Sequence, residues 1–145
     1  MKKYELTSET KIVFGHILYR IKALSSFGYV SAGDLGGFLE SEKNLSQNGN
    51  AWVSGNAEVS GDARVSEIGA IFWIGAVGSR NDTATFFRCR DGSIKVVCGC
   101  FFGNLDEFAK KVRKTHGDND HAKVYMLAID MAKIRISTEK EKTEE

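Results

Sequence analysis

Arg88, Arg90 and Lys95 stand close together in "TFFRCRDGSIKVV", beside the aromatic Phe86. Arginine grips phosphate through two parallel hydrogen bonds, and an aromatic plane stacks on a nucleobase. A Gly78-Ser79-Arg80-Asn81 turn precedes them, and backbone amides in such a turn can meet phosphate oxygens. A basic segment, Lys110, Lys111, Arg113 and Lys114, follows shortly after. Together these groups suit a small phosphorylated nucleotide. Arg80, Arg88, Arg113 and Lys110 would meet the phosphates, with Asn81 in the turn, and Phe86, Trp73 or Tyr125 would stack on the base.

No catalytic constellation competes with that reading. The chain shows no nucleophile motif, no phosphate-binding glycine loop of the Walker type and no paired-carboxylate pattern, so binding without catalysis or cofactor is the expectation. Cys98-x-Cys100, with Cys89, His116 and His121, can be drawn as a zinc site. Structural zinc sites, however, space their cysteine pairs by two to four residues, and the thiols read instead as free, buried side chains. Three cysteines are also an odd number, which suits a reducing compartment.

Net charge bounds the partners. With 20 basic and 19 acidic residues the chain carries +1, too little for a field that attracts duplex DNA or an anionic membrane. No apolar run reaches transmembrane length, and "MKKYELTSETK" has no apolar signal core, so a cytoplasmic location is expected.

The elements that must position these groups follow from periodicity. Asp91-Gly92 is a two-residue hairpin signal, which predicts Phe86 opposite Val97 and Arg88 opposite Lys95. Phe87, Cys89, Ile94, Val96, Cys98 and Cys100 would then form a core face, and Phe86, Arg88, Arg90, Lys95 and Val97 a cationic outer face. "NLDEFAKKVRKTHG" predicts a helix capped by Asn104, with Gly117 beyond its end. A second helix is expected over residues 120–136, apolar nearly all round and therefore covered on most sides, as in a subunit interface. Residues 10–24 read as β structure with Ile12, Phe14, Ile17 and Tyr19 as inward positions.

A six-residue repeat occupies "NGNAWVSGNAEVSGDARV", with columns Ala51, Ala57, Ala63 and Val53, Val59, Val65. Such hexads form the flat sides of a left-handed β-helix, or else short antiparallel strands. Three hexads make about one coil, too little to stand alone, so the repeat reads as scaffold in an oligomer. The fold expected is α+β. Residues 1–67 form a β module with a short left-handed β-helix-like hexapeptide segment. Residues 68–137 form a small antiparallel sheet followed by two helices, and residues 138–145 a disordered tail.

The stretch "KYELTSETKIVFGHILYRIKA", with "GDLGGFLE" and the hexads, resembles the amino-terminal part of small hexapeptide-repeat proteins of bacteriophages and prophages. The second module, "IGAVGSRNDTATFFRCRDG…CGCFFGNLDEFAKKVRKTHGDNDHAKVYM", is similar in outline to the phage anti-Thoeris sponge family, small oligomers with a sheet and two carboxy-terminal helices. That resemblance implies a cyclic ADP-ribose type or cyclic oligonucleotide ligand, sequestered in the host cytoplasm to starve an immune effector. The alternatives are a protein–protein inhibitor of a host defence nuclease and a structural oligomer of the phage particle.

Overall fold

The computed structural model describes residues 2–136; the tail read as disordered lies outside them. The described residues form an α+β fold with two four-stranded sheets and two long helices. Among them, no helix is long and apolar enough to cross a membrane.

The first sheet runs β1 (Tyr4–Val13), β2 (His16–Ala23), β3 (Leu35–Leu39) and β4 (Glu58–Val59). Phe14 and Gly15, both at positive φ, close the β1–β2 hairpin, the geometry that matches strand twist. Tyr4, Leu18, Ile21 and Ala23 turn inward. The inward assignment of Ile12, Phe14 and Ile17 is therefore corrected: all three are exposed, Ile12 at 75%, and Tyr19 is half-buried. Side chains alternate with period two, so a shift of one residue exchanges faces. β1 takes such a shift between Leu6 and Thr10.

β3 is antiparallel to β2 but parallel to β4. Phe38 pairs with Glu58, Leu39 with Val59, and Leu45 bridges Val65, so each link joins residues twenty apart, all in parallel. The glycines of "GDLGGFLE" allow this approach. A Cβ on Gly37 would lie 2.4 Å from the Ala57 carbonyl oxygen, and one on Gly36 2.6 Å from the Trp52 ring. In the hexads, Ala51, Val53, Ala57, Val59, Ala63 and Val65 are all buried, and Gly49, Gly55 and Gly61 turn the corners at positive φ. Asn44, fully buried, links the turn after β3 to the last hexads. Its Oδ1 accepts from the Ser41 and Glu40 amides, and its Nδ2 donates to the Gly61 and Ala63 carbonyls.

The second sheet is an antiparallel meander, β5 (Ile71–Val77), β6 (Asp82–Arg88), β7 (Ile94–Cys98) and β8 (Phe101–Asn104). The hairpin register departs from the two-residue expectation. The Cys89 amide donates to the Ser93 carbonyl and Gly92 adopts φ 88°, leaving a three-residue Arg90-Asp91-Gly92 loop. Phe86 accordingly pairs with Val96, Phe87 with Lys95 and Arg88 with Ile94, one residue away from the predicted partners. Both faces of this sheet are covered. Ala84, Phe86, Ile94, Val96 and Cys98 meet the helices, whereas Phe87, Cys89 and Val97 meet the hexad valines. The predicted cationic outer face does not form, because the register shift divides it: Phe86 and Arg88 fall on the helix side, and Lys95 and Val97 on the side that the hexads cover. Cys100, assigned to the core, is exposed.

Helix α1 (Leu105–His116) begins at an Asn104–Glu107 capping box and ends at Gly117, as the sequence indicates. Helix α2 (Asp120–Arg135) is capped by Asn119. Its inner side, Ala122, Tyr125, Ala128, Ile129 and Ala132, is buried. Its outer side is not covered by any of the described residues: Val124, Leu127, Met131 and Ile134 are exposed.

Candidate functional site

The sequence-predicted site residues do not converge. Phe86 is fully buried, its ring 5.9 Å from Phe72 and 6.1 Å from Phe108, so it offers no surface to a base. Arg88 makes a 2.6 Å ion pair with Glu67. Lys110 and Arg113 line a shallow recess along α1 with Asp130 and Lys133 of α2. Asn81 lies in another recess, beside Lys11 and Glu58. Arg80 and Tyr125 share a 300 Å³ cavity, and Trp73 lines a different, larger one. Periodicity places groups on strands and helices, but only the packing of those elements decides which groups meet.

The Arg80 cavity lies between the β5–β6 turn and the two helices. Gly78, at φ 75°, passes so close to Tyr125 that an added Cβ would lie 1.9 Å from its hydroxyl. Tyr125 stacks on His116 at 5.9 Å and its hydroxyl lies 3.9 Å from the Cys98 thiol. Burial pushes the Cys98 thiol up to about 11, and burial raises Tyr125 as well. Both groups are therefore protonated at neutral pH, and Cys98 is no nucleophile there. His116 and His121 sit 5.3 Å apart, yet among the described residues no three His, Cys, Asp or Glu side chains come together as a metal site.

The larger cavity, about 620 Å³, has the better build for a small planar ligand. Its volume falls within the range of small-molecule sites, about 300–1,000 Å³. Four elements make it: the loop carrying Tyr29, the first hexad with Asn50 and Trp52, the edge strand β5 with Phe72 and Trp73, and the end of α2 with Arg135. Trp52 is held edge-on by Phe27 at 5.4 Å and Tyr4 at 6.4 Å. Trp73 lies over the Gly55 corner, where an added Cβ would sit 3.5 Å from its ring. Arg135 Nη2 donates to the Ile68 carbonyl at 3.5 Å, which sets the guanidinium at the cavity wall. The cavity thus offers several aromatic faces, two small polar side chains and one cation.

Of these residues, only Trp73 was singled out from the sequence. A signal for Trp52 did exist. Within each hexad the residue between the inward Ala and Val points out, a column of Trp52, Glu58 and Arg64, and an outward Trp on a scaffold calls for a partner. Tyr29 and Arg135 carry no such signal, because their roles depend on loop placement and on where α2 ends. Comparison with protein-family models gave no match, and neither did comparison with curated proteins.

Proposed function

We propose that this chain is a phage-encoded anti-defence protein that acts in the host cytoplasm as a homo-oligomer and sequesters a cyclic nucleotide immune signal, of cyclic ADP-ribose or cyclic oligonucleotide type, without catalysis. The observation that carries this reading is the aromatic cavity. Trp52, Trp73 and Tyr29 supply stacking faces for a base, and Arg135 supplies a bidentate donor for phosphate, with Asn50 and Ser54 as smaller polar contacts. Sequestration needs only tight, stoichiometric binding. Arg80, with Lys111 in the smaller cavity, is a weaker claimant, since Phe108 and Tyr125 there are buried and Phe101 packs against Phe108 at 5.2 Å.

We read the hexads as one coil of a left-handed β-helix whose preceding turn is residues 36–46. The parallel links of constant twenty-residue span support that reading over antiparallel strands. A protein–protein inhibitor is the second reading, favoured by the exposed Ile12, Phe14 and Ile17 at the end of the first hairpin.

Titration of the full chain with cyclic ADP-ribose isomers and cyclic di- and trinucleotides, followed by tryptophan fluorescence, tests the proposal. At least one ligand is expected to quench Trp52 and Trp73. Base–aromatic stacking contributes about 1–3 kcal/mol, so Trp73→Ala should weaken binding by about five- to 150-fold, and Arg135→Ala by a similar factor. Binding that is indifferent to both substitutions would remove this cavity from the account.

A further inference from the structure

We infer that the outer face of α2 is a self-association surface, on which a second copy of this chain lays its own α2 in parallel about a two-fold axis. Val124, Leu127, Met131 and Ile134 are spaced three, four and three residues apart, the a and d positions of a heptad seam, and all four are exposed, Ile134 at 86%. They lie opposite the side that packs on the sheet, where Ala128 and Ala132 are fully buried. An apolar stripe in this register is self-complementary: Val124 and Met131 would occupy the a layers, Leu127 and Ile134 the d layers, each against its own symmetry mate.

The charges beside the seam select a second copy and the parallel direction. Asp130 occupies the g position and Arg135 the following e position, five residues on, which is the spacing of the interhelical g–e ion pair in a parallel coiled coil. Two-fold symmetry makes the pair twice, with Asp130 facing Arg135 of the partner subunit and Arg135 facing Asp130 of the partner subunit. An antiparallel pairing centred on the same seam would instead set Asp130 against Asp130 of the partner subunit. Both residues are exposed, and the intrachain hydrogen bond of Arg135 to the Ile68 carbonyl is long at 3.5 Å, which leaves guanidinium donors for a partner carboxylate.

The seam is short. A helix of 16 residues spans about 24 Å, and a standard interface buries about 800 Å² per partner. Ile68, exposed beside Arg135, extends the apolar face, and the pair is expected to dissociate on dilution. Ile68 and Arg135 also line the aromatic cavity, so the test uses ligand-free protein, in which self-association alone is read.

Analytical ultracentrifugation of the ligand-free full chain over a concentration series is the test. The wild type is expected to shift towards twice its 16.0 kDa mass, and Leu127→Asp to remain a folded monomer by circular dichroism. Asp130→Arg and Arg135→Asp should each raise the dissociation constant about tenfold, since each sets like charges side by side, and the double reversal should recover most of that loss. A wild type that stays monomeric at high micromolar concentration would overturn the inference. So would an assembly untouched by Leu127→Asp, or a double reversal no better than the singles.

Discussion

Asn44→Ala is expected to lower the unfolding free energy by about 2–5 kcal/mol, enough to leave a chain of ordinary stability partly unfolded at physiological temperature. The side chain is fully buried and uses all its polar capacity, two amides on Oδ1 and two carbonyls on Nδ2. Not every partner is orphaned by its removal. The Glu40 amide also reaches the Val59 carbonyl at 3.1 Å, and the Ala63 carbonyl also accepts from Arg64 at 3.1 Å. The Ser41 amide and the Gly61 carbonyl lose this partner outright. Both groups lie at part-buried positions, where water replaces part of the lost bond, so they account for the lower part of the expected range, and the cavity left by the buried side chain adds the rest. Asn44→Asp separates the terms, because it retains the acceptor for the two amides but sets an oxygen against two carbonyls. Urea denaturation of both variants would read the difference; a midpoint unchanged in Asn44→Ala would mean that the turn is not held this way.

Phe86→Ala is expected to cost about 3–5 kcal/mol, the usual range for deleting a fully buried aromatic ring. The ring sits between Phe72 on the neighbouring strand and Phe108 on α1, so its loss loosens the seam between sheet and helices. Arg88→Ala, two residues along the same strand, removes a guanidinium that pairs with the exposed Glu67 and reaches the Ser66 hydroxyl, and is expected to cost less than the ring, about 1–3 kcal/mol. The contrast in thermal melting separates the two residues that share one predicted face. A mild Phe86→Ala phenotype would return that ring to the surface.

The helices were legible because capping is local. Asn104 with Glu107, and Gly117 after the last turn, fix α1 from a dozen adjacent residues. The inward Ala and Val columns were legible for a similar reason, since a strict six-residue period allows only one side to be the core. The first hairpin was misread because periodicity carries no absolute phase: "KIVFGHIL" alternates plausibly either way, and the shift between Leu6 and Thr10 lies outside it. The second hairpin was misread by one residue because Asp-Gly serves both a two-residue turn and the last two positions of a three-residue loop. That single residue moved Phe86 onto the face of Val96. The same shift splits the predicted cationic face, and its Lys95 and Val97 part is covered for a non-local reason, by the hexads. The hydrogen bonds joining Arg64 to Arg88 and Asp62 to Arg90 form that seam, and no local pattern announces them.

The hexads therefore have a double role in this account, as the inner wall of one core and as the carrier of Trp52 at the cavity. Ligand capture is the central claim. The most direct measurement is mass spectrometry of small molecules released by denaturing the protein after purification from bacteria in which a cyclic nucleotide defence signal is being produced. The account predicts a cyclic nucleotide in near-stoichiometric amount from the wild type and its loss from Trp73→Ala. Wild-type protein that is folded and releases no nucleotide from such cells would contradict it.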